Sequence, residues 1–316
     1  MRIARVRVDD GSGRTAVVDP VAGSARILNA EISPLALLTA PNRDELASDG
    51  FERGLERLEL LAPLEPPSIR DFSVFEQHIE GILKGQGQPV PQSWYESPFC
   101  YFSNPGAVTD PGQQIALPPG SSDLDFELEV AAIIGRSGSD LSPQAAHAHI
   151  AGYTIFNDWS ARDLQMEEMK LGLGICKGKD FANTLGPWLV SADELEAHRD
   201  GDRLDLDMRA QVNGRELGDD TLANMAWSFE ELVAYASRGT VIRPGDVIGS
   251  GTCGSGALIE IRARRGAADY PWLAPGDTVT LTVEGIGALT NTIVAGIDPV
   301  ALPPARPGRL RDRASA

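Results

Sequence analysis

Leu124-Asp125-Phe126-Glu127-Leu128-Glu129-Val130-Ala131-Ala132-Ile133-Ile134-Gly135 is the stretch on which the reading of this chain turns. It alternates and is apolar enough to predict a strand. Side chains two apart on a strand point the same way, so Glu127 and Glu129 share one face. Two carboxylates on one face beside an apolar run repel each other and are costly to bury unless something neutralises them. Spacing alone leaves two readings open: the wet face of an ordinary amphipathic strand, or a pair of oxygen ligands for a cation. Roughly thirty residues on, Phe156-Asn157-Asp158-Trp159-Ser160-Ala161-Arg162-Asp163 supplies a second acidic cluster. Asp158 offers a third oxygen there, which favours the cation. Hard oxygen ligands suit Mg2+, Mn2+ or Ca2+ rather than zinc.

The surrounding composition is that of a soluble globular protein. Of 316 residues, 42% are hydrophobic and 23% charged, enough for a large core in one large domain or two. A net charge of -17 and a pI of about 4.6 repel nucleic acid and anionic membranes, so neither is expected as a partner. An anionic substrate is still allowed, because a local Lys, Arg or metal reverses the potential inside a cleft. The start, Met1 to Val8, has no apolar core of signal length, and no stretch approaches the length of a membrane span. A cytoplasmic location is the expectation. Cys100, Cys176 and Cys253 are far apart and lack metal-type spacing, as expected of reduced thiols.

Residues 1–65 read as a small β-rich unit. Arg2–Val8 and Thr15–Val18 flank an Asp-Asp-Gly-Ser-Gly turn as in a hairpin. Arg43–Leu61 reads as a charged helical segment, and Ala62–Pro67 is a stiff break and candidate boundary. Phe75, Ile79 and Ile82 are at helical spacing, and Ser142-Pro143 opens another helix. Ile150–Asn157 is a strand ending in the second acidic cluster. Asn213-Gly214 signals a hairpin after Leu204–Val212, and Phe229–Ala236 reads as a helix. Val247–Gly251 and Leu258–Arg262 read as short strands, with a last pair at Thr278–Glu284 and Leu289–Val294. Residues 301–316 form a basic, proline-rich tail expected to be disordered. Many strands and few helices predict an α+β, β-dominated fold.

The Asn157-Asp158-x-Ser160-x-Arg162-Asp163 string, preceded by Phe126-Glu127-Leu128-Glu129, resembles the signature of the fumarylacetoacetate hydrolase superfamily. Further matches follow in order: Lys177-Gly178-Lys179-Asp180-Phe181, Gly186-Pro187-Trp188, Gly249-Ser250-Gly251-Thr252 before Glu260, and Pro275-Gly276-Asp277 before Val283-Glu284-Gly285. The motifs cover about residues 68–295. The resemblance implies a mixed β-roll or β-sandwich catalytic domain over residues 66–300. Upstream, Asp71-Phe72-Ser73-Val74-Phe75-Glu76-Gln77-His78 resembles the segment that carries a fourth metal carboxylate and the general base. Residue by residue, it implies Asp71, Glu127, Glu129 and Asp158 as metal ligands, and His78 as base oriented by Glu260. Lys179 and Gln165 match substrate-contacting positions, as does Tyr101 more loosely, and Thr252 and Ser73 fall on the wall of the substrate site. His78 is expected one or two helical turns from Asp71. Arg162 and Asp163 are expected to pair with each other behind the site, and His147, His149 and His198 to lie on the surface. Two departures stand out: Ser73 and Met169 occupy positions where the resemblance leads one to expect tyrosine, which argues against fumarylacetoacetate itself as substrate.

The resemblance implies a Mg2+-dependent (or Mn2+- or Ca2+-dependent) hydrolase that cleaves a C–C bond of a small diketo or acylpyruvate-like acid, with His78 activating water. A decarboxylase, isomerase or dehydratase on a related keto acid or deoxy-sugar acid needs the same metal without the hydrolytic water. A metal-stabilised scaffold without turnover is the third reading. A homodimer is expected by resemblance.

Overall fold

The Leu128–Ile134 strand is buried on both faces. Leu128, Val130, Ala132 and Ile134 turn into one hydrophobic core, and Ala131 and Ile133 into another. In a computed structural model, which describes residues 1–306 except 86 and 173, this strand lies in a twelve-stranded sheet. Ten of its strands run in the order Gly50–Gly54, Ser24–Leu28, Gly13–Asp19, Arg2–Arg7, Asn183–Ser191, Ile150–Asp158, Leu128–Ile134, Val247–Gly249, Ile69–Phe72, Cys100–Ser103, and the other two, Glu59–Leu61 and Val108–Thr109, pair with Arg2–Arg7 and Asn183–Ser191 off this path. Along this path the pairings are antiparallel, except that Val247–Gly249 and Ile69–Phe72 run parallel. A five-stranded sheet built around Asp207–Val212 and Thr278–Val283 turns Met208, Ala210, Leu281 and Val283 into the same core as Val130, Ala132 and Ile155. Each such valine, leucine, isoleucine or methionine side chain contributes about 1.5–3 kcal/mol by leaving water. The Phe229–Ser237 helix joins this core and begins at a Ser228–Glu231 capping box.

The hairpin at Asn213-Gly214 forms, with φ of 53° and 75° at the two turn residues, the positive pair that a tight β-turn matched to strand twist requires. The first strands form a hairpin too. Arg2–Arg7 also pairs with Asn183–Ser191, so the strands before the Ala62–Pro67 break continue the sheet that follows it.

Four readings of local structure are corrected. Leu258–Arg265 is a helix, not a strand. Leu258 and Ile261 face the core, Asp125 accepts the Leu258 and Ile259 N–H groups, and three arginines in the last turn complement the helix dipole. Arg43–Leu61 holds an α-helix only over Arg43–Ser48 and a single 3-10 turn at Leu55–Arg57; Gly50–Gly54 and Glu59–Leu61 are strands captured by sheet neighbours. The Leu124–Gly135 run is broken at Phe126, and Leu124–Asp125 pairs with Ser160–Ala161 instead. His149 is buried, its Nδ1 lying 2.9 Å from the Arg136 carbonyl. Of the tail, residues 301–306 are exposed and without regular structure, and the rest lies outside the described residues. Among the described residues, no helix is long and apolar enough to cross a membrane.

Candidate active site

Sheet register assembles the acidic residues. Glu129 stands opposite Phe156, which places Glu127 near the end of the strand that carries Asp158. Val247–Gly249 then spaces Leu128–Ile134 from Ile69–Phe72, with Ala131 opposite Gly249 and Gly249 opposite Asp71. A Cβ at Gly249 would stand 2.4 Å from Asp71 Oδ1 and 3.1 Å from Glu129 Oε2. Only glycine lets the two carboxylates meet across it. Asp71, Glu127, Glu129 and Asp158 each offer an oxygen within 4.8 Å of the others, and all four are buried.

Two buried cations and one backbone amide surround this cluster. Lys179 Nζ is 2.5 Å from Glu127 Oε2 and also pairs with Asp158. Arg162 donates to Glu127 at 2.7 Å, to Asp125 at 2.9 Å and to Gln165 at 3.0 Å. Gly251 N–H donates to both Asp71 and Glu129, at 3.2 and 3.1 Å. Burial alone would lift Glu127, but Lys179 and Arg162 outweigh it and hold this carboxyl well below the usual range. Burial pushes Asp158 up to about 8 against the pull of Lys179, with Glu127 and Asp71 adding to the rise. Burial likewise raises Asp71 and Glu129, and the Asp71 charge lifts Glu129 further. Asp158 Oδ1 is buried without a hydrogen-bond partner, a costly state that a bound cation relieves. An all-carboxylate donor set with an orphaned oxygen fits a hard divalent cation.

His78 lines the same cavity as Asp71, Glu127 and Glu129. Its Nδ1 lies 3.0 Å from Glu260 Oε2, both side chains being buried. A carboxylate only accepts, so Nδ1–H is the donor and Nε2 is left for chemistry. Glu260 is fixed in turn by Ser255 N–H at 2.8 Å and by an ion pair to Arg264 at 2.9 Å. His78 is not a helical turn from Asp71: Asp71 lies in the Ile69–Phe72 strand, residues 73–75 have no regular structure, and His78 sits in the Glu76–Gly85 helix, which packs on the helix of Glu260. Arg162 and Asp163 do not pair with each other. Arg162 turns inward to Asp125 and Glu127, whereas Asp163 accepts from Ser121 and Ser122.

Tyr101, Gln165, Thr252 and Ser73 all line the cavity. The Tyr101 hydroxyl is engaged by Asp71, at 2.9 Å, and Asp158. Thr252 Oγ1 is 3.5 Å from Glu129. Ser73 adds its backbone carbonyl, which accepts from Trp94 Nε1 at 2.8 Å. The segment that carries Thr252 is buried over Ser250–Cys253. Two further residues escaped the sequence reading. Asp125 falls on the same odd-numbered alternation as Glu127 and Glu129, so its inward face was there to be read. Glu168 accepts the N–H groups of Cys176, Lys177 and Gly178, at 3.0, 2.5 and 3.1 Å, and nothing in its sequence neighbourhood signals this. A larger cleft of about 710 Å3 beside Thr15, Pro34 and Glu65 has no comparable cluster of buried titratable groups among the described residues.

Carboxylates at the end of a mixed sheet, only partly neutralised by two buried cations and set beside an oriented imidazole, define a class of protein that could hold a hard cation next to a proton-accepting side chain. The chain belongs to the fumarylacetoacetate hydrolase family: the family described as Fumarylacetoacetate (FAA) hydrolase C-terminal matches residues 69–294. It is 32% identical over 256 residues to the oxaloacetate tautomerase YisK of Bacillus subtilis, covering 80% of this chain and 78% of that one. Two solved structures share the fold. The fumarylacetoacetate hydrolase of Exiguobacterium antarcticum superposes with a TM-score of 0.73 at 27% identity, over 93% of this chain and 99% of that one. A 5-carboxymethyl-2-hydroxymuconate delta-isomerase from Mycobacterium smegmatis gives 0.69 at 28% identity, over 93% and 100%.

Proposed function

We propose that the protein is a divalent-metal-dependent hydrolase that cleaves a C–C bond in a small acylpyruvate-like 2,4-diketo acid. The observation that carries this reading is the buried His78–Glu260 pair, whose histidine lines the same cavity as Asp71, Glu127 and Glu129. Asp71, Glu127, Glu129 and Asp158 would hold the divalent cation, a hard ion such as Mg2+, Mn2+ or Ca2+, which would supply Lewis-acid polarisation of the substrate. His78 Nε2 takes a proton from water, and Glu260 stabilises the imidazolium that results. The water oxygen adds to the distal carbonyl. The bond between that carbonyl carbon and C3 then breaks, and its electron pair leaves on C3 as the enolate of pyruvate. Lys179 holds positive charge beside this developing charge, and His78 returns its proton to C3. The products are pyruvate and a carboxylic acid.

A second reading is supported by the tautomerase relative: His78 moves a proton on a keto acid without adding water, as a tautomerase or isomerase requires. The experiment incubates Mg2+-loaded protein with acylpyruvates and oxaloacetate in 18O-labelled water and in D2O. Hydrolysis predicts pyruvate together with 18O in the released acid. An intact carbon skeleton with deuterium at C3 and no released acid would replace the first reading with the second.

A further inference from the structure

The cavity of about 470 Å3 that contains the centre has two unlike ends. The inner end is ionic. The outer end is built by Ile79 and Ile82 of one helix, Met166 and Met169 of another, Ile175 and Trp94. Met166 and Met169 remain exposed in the free protein, as do few methionines without an apolar partner to meet. Among the described residues lining this cavity, Arg162 and Lys179 are the only cations. Both are already committed, Arg162 to Asp125 and Glu127, Lys179 to Glu127 and Asp158. A second carboxylate at the far end of a substrate would therefore lie against isoleucine, methionine and tryptophan side chains and find no uncommitted cation among the described lining residues.

We infer that the substrate is a monoacid whose far end is an uncharged aliphatic or aromatic acyl group, seated between Ile79, Ile82, Met166, Met169 and Trp94, and not a dicarboxylate. The inference rests on the keto-acid reading of the site. The methionines adapt their shape to the acyl group, and the isoleucines set its width.

Calorimetric binding to the full-length, Mg2+-loaded protein separates the two levels of the argument without requiring turnover. The ligands are 2-ketobutyrate, 2-ketohexanoate and 2-ketooctanoate, with 2-ketoadipate as the dicarboxylate matched in length to 2-ketohexanoate. Kd is expected to fall about fourfold per added methylene, and 2-ketoadipate to bind about tenfold or more weaker than 2-ketohexanoate. In Met169→Lys, which adds an exposed cation at the mouth, 2-ketoadipate is expected to gain about tenfold. Mg2+-dependent binding that ignores chain length, or that favours 2-ketoadipate in the unsubstituted protein, overturns the inference while leaving the keto-acid reading intact. Absence of Mg2+-dependent binding by every member of the series overturns both.

Discussion

His78 and Glu260 lie in different helices, yet they form one chemical unit, and their substitutions should behave as one. His78→Ala is expected to lower kcat by about 10²–10⁴-fold with little change in KM. Glu260→Gln keeps the shape but loses the negative charge that stabilises the imidazolium, so it should cost a similar factor, and the double variant little more than either alone. Steady-state kinetics on a turned-over keto acid check this; additive losses would separate the two residues. Gly249 makes a different kind of contribution. Its missing Cβ is what lets Asp71 and Glu129 converge, so Gly249→Ala should weaken Mg2+ binding by about 10–100-fold. Titration calorimetry reads this directly, and unchanged affinity would show that the carboxylates can spread without loss. At this scale most of the site was legible in the sequence. Glu127, Glu129 and Asp158 were readable because alternation and motif both mark them. Asp71 and His78 needed the family resemblance, since a lone aspartate and a lone histidine carry no periodic signal. The inward turn of Arg162 was not legible, because its partner Asp125 is distant in sequence and comes close only through the pairing of Leu124–Asp125 with Ser160–Ala161.

At the scale of elements, Glu168 ties the end of the Arg162–Met169 helix to the segment that presents Lys179. Burial alone would raise its carboxyl, but the N–H groups of Cys176, Gly178 and Lys177 outweigh this and lower it. Glu168→Ala should free those amides. Their hydrogen exchange is expected to quicken, and kcat/KM to fall about tenfold through loss of Lys179 placement, while global stability falls by only about 1–3 kcal/mol. Exchange rates at Cys176–Gly178 that match the parent protein would sink this account. The elements misread from sequence failed for a common reason. Leu258–Arg262 is short and apolar at several positions, so length and periodicity could not separate helix from strand. What settles it is Asp125, a tertiary cap about 130 residues away in sequence. Arg43–Leu61 carries helix-forming charge, yet edge pairing with Ser24–Leu28 and Arg2–Arg7 overrides that propensity.

For the molecule as a whole, the acidic centre links stability to pH and to cations. Asp158 is raised to about 8 in the fold, against about 3.9 in an unfolded chain. Between these values the folded state holds a proton that the unfolded state has lost. This contribution to stability is therefore complete below about pH 4 and is lost as pH rises through about 8. In chelator, the melting temperature is expected to drop between pH 5 and pH 8, and Asp158→Asn should flatten the slope. Mg2+ at a hundredfold excess over its Kd should restore about 2.7 kcal/mol, or several degrees, with the larger gain at the higher pH. Scanning calorimetry with and without Mg2+ checks this; a cation gain that shrinks toward pH 8 would contradict it.

The insertion of Val247–Gly249 between Leu128–Ile134 and Ile69–Phe72 also has a bearing on biosynthesis. Asp71 and Glu129 emerge from the ribosome early, but the strand that sets their spacing and the Gly251 amide that clasps them arrive only in the last quarter of the chain. A nascent or prematurely terminated polypeptide carries all four carboxylates and still lacks the centre. Cation capture would thus wait for synthesis of that strand, and chains cut short before it would gain none of the stabilisation that a bound cation supplies.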